Sequence, residues 1–75
     1  MTRLPDITGF KLIRILRKAG WIVKSQKGSH VKLVKKDSNN FIIVPVHARS
    51  TIPKGTLANI IKDAGLTIEQ FVKMM

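Results

Sequence analysis

The chain has no cysteine among its 75 residues, and that absence removes several chemistries at once. Disulfide staples, a thiolate zinc site and a cysteine nucleophile all need a residue the chain lacks. Domains below ~80 residues often lean on disulfides, metals or partners, so the first of these is closed. The lack of cysteine also fits a reducing compartment. Acidic residues are nearly as scarce. The four, Asp6, Asp37, Asp63 and Glu69, fall in different segments and form no close-spaced pair. Two-metal phosphodiester chemistry, which usually needs several carboxylates, is therefore poorly supported. Histidine is limited to His30 and His47, short of the three imidazoles of the usual catalytic zinc site, so no metal is expected. No glycine-rich phosphate loop is present. The opening "MTRLPDITGF" lacks the basic and then apolar regions of a signal peptide, and no apolar run approaches the ~20 residues of a membrane helix. The expectation is one cytoplasmic domain over residues 1–75, with no membrane association and no small-molecule cofactor.

What the chain does have is positive charge. Fourteen Lys or Arg stand against four Asp or Glu, for a formal net charge of +10 and an isoelectric point near 10.8. A hydrophobic content of 44% argues against a disordered basic tail. A folded domain this basic most often meets a polyanion, with nucleic acid first and an anionic membrane or acidic protein next.

The pattern of apolar residues predicts helix, three strands, helix and a short last helix. "TGFKLIRILRKA" (8–19) has Thr8 as a plausible N-cap and Gly20 as its stop. Leu12, Ile13 and Leu16 form its apolar side, flanked by Ile15 and Ala19. A step of ~100° per residue places Lys11, Arg14, Arg17 and Lys18 within roughly 120° of one another, a cationic stripe. "WIVKSQ" (21–26) and "HVKLVKK" (30–36) read as strands joined by a turn at "KGS". After a "DSNN" turn, "FIIVPVH" (41–47) reads as a third strand, where Pro45 suggests an edge position or a bulge. Pro53 suits the first turn of a second helix with Leu57, Ile60, Ile61 and Ala64 on one face, ended by Gly65. Thr67 and Gln70 form a capping box before a short helix bearing Ile68, Phe71, Val72 and Met75. Helices on one face of a three-stranded antiparallel sheet give a two-layer α+β fold.

Strand alternation puts His30, Lys32, Val34 and Lys36 on one face and Val31 and Leu33 on the other, toward the helices. Histidine is the side chain that ordinarily titrates near neutrality, so an exposed one can take or give a proton. RNA supplies a matching group. Its 2′-hydroxyl, once deprotonated, attacks the adjacent phosphodiester without a metal, and Lys27 or Lys32 could stabilise charge on the phosphate. On the residues alone, a lone exposed histidine is more often a surface residue than a catalyst, and both readings stand. Gly28 reads as a turn residue, and Ser29 as a phosphate donor or a turn residue. Lys54 and Gly55 sit at a helix start that favours an anion, and are equally explained as helix-start residues. His47 reads as structural or peripheral, and Trp21 as core or a sheet-face anchor.

The segments "LIRILRKAGWIVKSQKGSHVKL", "VPVH" and "IPKGTLANIIKDAGLTIEQF" together resemble the HicA-type, or YcfA-like, mRNA interferase toxins. The resemblance runs from about Leu12 to Phe71 and rests on the order and spacing of "AGW", "KGSH", "VPVH" and "PKGTL...I...AGL". It implies a double-stranded-RNA-binding-domain-like α-β-β-β-α(-α) fold. It further implies a metal-independent endoribonuclease that cleaves mRNA and is held inactive by an acidic HicB-type antitoxin. The catalytic histidine of its Gly-Ser-His motif maps onto His30. Members often carry a polar or aromatic residue straight after that histidine, whereas here Val31 follows. The expected RNA-binding residues are Lys11, Arg14, Lys18, Lys27, Gly28, Ser29, Lys32 and Lys54. Two rival readings use the same features: a non-catalytic double-stranded RNA binder, and a basic protein-interaction module.

Overall fold

The computed structural model describes residues 3–75. Its elements run α1 (Gly9–Lys18), β1 (Trp21–Lys27), β2 (His30–Lys35), β3 (Phe41–Pro45), α2 (Lys54–Asp63) and α3 (Ile68–Lys73). The three strands form an antiparallel sheet in the order β1-β2-β3, so β3, with its proline, lies at an edge as expected. Packed against one face of this sheet are the helices: α1 on β1 and β3, α2 on β3 and on α3.

Local chemistry sets the helix ends. The Thr8 hydroxyl accepts from the Lys11 amide at 3.2 Å and starts α1. Gly20, at φ +98°, takes the left-handed conformation that stops it. Pro53 stands just before α2 as its N-cap, and Gly65 closes that helix at φ +77°. The Leu66 amide reaches back to the Ile61 carbonyl, satisfying an acceptor the helix end would leave free. At α3 both halves of the Thr67–Gln70 capping box form, at 3.1 and 2.8 Å.

Register fixes which strand residues enter the core. Val31 pairs with Val44 and Leu33 with Ile42, and all four are buried. They meet Leu12, Ile15 and Leu16 of α1, Leu57, Ile60 and Ile61 of α2, and Phe71 of α3. Within α1, Ile15 is buried and Ile13 half-buried, so the apolar stripe is rotated from the expected Leu12–Ile13–Leu16 line. Among the described residues, four core members lie outside every helix and strand: Ala64, which caps α2, and Ile7, Val46 and Ile52 in irregular backbone. The segments that carry Ile7 and Ile52 are sewn together by the Ile52 amide donating to the Ile7 carbonyl and by a Thr8–Thr51 bridge. The third strand ends at Pro45 and not at His47, and the second at Lys35 and not at Lys36. Beyond the end of β3 the Val46 amide still donates to the Ser29 carbonyl at 2.6 Å, in register with the β2–β3 pairs.

Candidate functional site

Among the described residues no helix covers the other sheet face, and His30 stands on it as the first residue of β2. Gly28 and Ser29 form the two-residue loop between Lys27 and His30, which are cross-strand partners. Gly28 sits at φ +59°, the conformation such a loop requires at its first central position. The Gln26 side-chain amide donates to the Gly28 carbonyl at 3.1 Å and braces the turn. From the other side the turn is held by the Val46–Ser29 hydrogen bond. His30 is therefore an exposed imidazole on a short, braced hairpin end, with Lys27 on one side and Pro45 on the other.

A bulge makes this arrangement compatible with the core. The β1–β2 register shifts between Val23 and Ser25, leaving Lys24 without a partner. Without that extra residue, a strand with Trp21 turned inward would also turn Lys27 inward. With it, Trp21 stays buried and Lys27 lies on the His30 face. The face continues from His30 through Ser25, Lys32 and Ile43 to Ile22, Val34 and Phe41. Ile22, Ile43 and Phe41 are all exposed there.

Four segments meet near the hairpin end. Gly9, the first residue of α1, lies so close to the Pro45 carbonyl and Val46 that a Cβ would collide with them. The 45–51 segment thus lies between the His30 turn and the starts of both helices.

A family model described as the HicA toxin of bacterial toxin–antitoxin systems matches residues 9–66. The chain belongs to the HicA toxin family. Among solved structures, a chain of a HicA3 and HicB3 toxin–antitoxin complex matches with a TM-score of 0.65 and 35% identity, over 81% of this chain and 97% of that one. No curated protein matches. The HicA match begins at the Gly9 contact and takes in both histidines, so it covers every candidate site residue. The α-β-β-β-α-α order and the three-stranded antiparallel sheet follow the HicA fold. Val31, the departure noted in sequence, is buried on the helix side, and so does not share the exposed face with His30.

The expected RNA-binding residues are only partly brought together. Lys27, Gly28 and Ser29 lie at His30 itself. Lys32 shares its face, but its ammonium sits 4.7 Å from the centre of the Phe41 ring, leaning along the sheet away from His30. Lys54 is engaged elsewhere, with Nζ 2.6 Å from Asp6 and donating to the Leu4 carbonyl at 2.8 Å. Lys11, Arg14 and Lys18 are exposed on the outside of the helical layer, where they line a shallow surface with Met74 and Met75. That surface belongs to the helical layer, whereas His30 belongs to the sheet face away from the helices. Sequence reasoning missed Gly9, the Lys24 bulge and the Asp6–Lys54 pair, which depend on contacts between distant segments. Among the described residues no three His, Cys, Asp or Glu side chains converge as metal ligands, and no helix is long and apolar enough to cross a membrane.

Proposed function

We propose that this HicA-family chain is a cytoplasmic endoribonuclease toxin that cleaves mRNA without a metal, with His30 as its catalytic residue. One observation carries the reading: within a HicA fold, the imidazole is exposed on a hairpin braced from both sides, with a lysine as its cross-strand neighbour. In the reaction the ribose 2′-oxygen bonds to the adjacent phosphorus and the bond to the 5′-oxygen breaks. His30 takes the 2′ proton or supplies the proton that the 5′-oxygen needs. One positioned acid or base of this kind is worth roughly 10²–10⁴-fold. Lys27 supports the phosphate as its charge grows. The cations of α1 reach RNA that continues past the end of the sheet, and they add affinity with no sequence reading.

An acidic HicB-type antitoxin is the expected inhibitor. A net charge of +10 favours an acidic partner, and the neighbouring structure is itself a toxin–antitoxin complex. The exposed Ile22, Phe41 and Ile43 give a protein an apolar footing on the same face as His30. The test of the nuclease reading is RNA incubated with the purified chain in EDTA. Fragments ending in 2′,3′-cyclic phosphate and 5′-hydroxyl are expected. Loss of cleavage in EDTA, or fragments with 3′-hydroxyl and 5′-phosphate ends, would overturn it.

A further inference from the structure

Beside the His30 hairpin lies a hollow of about 180 Å³ that the cleavage chemistry does not use. Its apolar wall is made by Pro45, Ile52 and Pro53. Its polar rim is made by His47, Ser50, Thr51 and Thr56. Pro45 is the cross-strand partner of His30, so the hollow begins about 5 Å from the His30 backbone by ordinary antiparallel spacing. Sites for drug-sized ligands run to roughly 300–1,000 Å³, so this one takes a single ring system and not a whole nucleotide.

The lining says which part of RNA fits. Neither lysine nor arginine lines the hollow, which argues against a phosphate pocket. Proline rings offer flat apolar surface to the face of an aromatic ring, and the hydroxyls and imidazole offer donors and acceptors to its edge. Among the described residues, the side chains of His47, Ser50, Thr51 and Thr56 make no hydrogen bond to another protein group. The backbone that carries His47 is also strained. Ala48, a residue with a Cβ, sits at φ +44°, in a turn closed by the Ser50 amide on the His47 carbonyl at 2.8 Å. Backbone strain of this kind persists where surrounding contacts enforce it, and it concentrates at functional sites. Here the enforcing contacts are the Val46–Ser29 bond on one side and the Ile52–Ile7 bond on the other.

We propose that this hollow is a nucleobase subsite, seating a base next to the phosphodiester at His30, with His47 and Thr56 reading the edge of that base. The inference rests on the nuclease reading for its substrate class and assigns His47 a role in specificity. In the test, uncleavable 2′-O-methyl oligonucleotides carry each of the four bases at one position, and binding is measured for wild type, His47→Ala and Thr56→Val. All-ribose versions are assayed for cleavage in parallel. Wild type should prefer one base by roughly tenfold, the discrimination a well-made hydrogen bond supplies. Both variants should bind all four bases within about twofold of one another, with thermal stability unchanged because both positions are exposed. Base discrimination without any cleavage would support the subsite and refute the nuclease reading. Equal binding of all bases by wild type, or a wild-type preference retained in both variants, would overturn the subsite.

Discussion

Gly9 and Gly55 each stand at the start of a helix, yet replacing them by alanine should have opposite effects. A Cβ on Gly9 would strike the Pro45 carbonyl and approach Val46 at 3.0 and 3.1 Å, while one on Gly55 would meet nothing within 4 Å. At Gly9 two of those three neighbours are backbone atoms of the β3 end, which is tied to Ser29 and cannot swing aside as a side-chain tip can. Overpacking of this kind costs typically 1–3 kcal/mol. Alanine regains at most about 1 kcal/mol of helix propensity over glycine, and less at the first helical position. The collision wins, and Gly9→Ala should destabilise by about 1–2 kcal/mol. At ~4–8 °C per kcal/mol for a domain of this size, Tm should fall by roughly 5–15 °C. At Gly55 the propensity gain stands alone, about 0.5–1 kcal/mol, and Tm should rise by a few degrees. Thermal unfolding followed by circular dichroism reads both. A Gly9→Ala protein as stable as wild type would refute the close approach of α1 to β3, and with it the packing that places the 45–51 segment.

Three other predictions concern single contacts. Phe71 is fully buried, so Phe71→Ala should cost about 3–5 kcal/mol against the roughly 4–11 kcal/mol expected for 75 residues, seen as a large drop in urea midpoint. Gly28 has open space around it but φ +59°, so Gly28→Ala should cost about 1–2 kcal/mol through backbone conformation alone, and denaturant titration should show it. The Asp6–Lys54 pair is exposed, so Asp6→Asn should change stability by less than about 1 kcal/mol. The same change frees a lysine charge, so RNA binding should tighten a few-fold at low salt, with the gain shrinking as salt is added.

The elements were legible in sequence where their signals are local. Thr8, Gly20, Gly65 and the Thr67–Gln70 box act within a turn of their own positions, and each does in the structure what its spacing implies. The alternation of β2 was legible too, because Val31 and Leu33 must be buried and His30 then faces out. Contacts between segments were not. Gly9 looks like any helix-start glycine until Pro45 is seen beside it, and Lys54 looks like a free cation until Asp6 is. Ile7, Val46 and Ile52 are core residues without periodicity, since irregular backbone gives no repeating face. The bulge at Lys24 leaves no composition signal, although it lets Trp21 and Lys27 face opposite ways. For the site, sequence picked out His30 and its turn, whereas the hollow at His47 is lined largely by the irregular segment between β3 and α2, which has no periodic signal.

The central claim is that His30 performs the proton transfer, and single-turnover cleavage of RNA by His30→Ala beside wild type tests it most directly. Because the side chain is exposed, the variant should fold with an unchanged Tm. Its cleavage rate should fall by roughly 10²–10⁴-fold while RNA affinity stays within a few-fold. A folded His30→Ala protein that cleaves RNA at the wild-type rate would contradict the account.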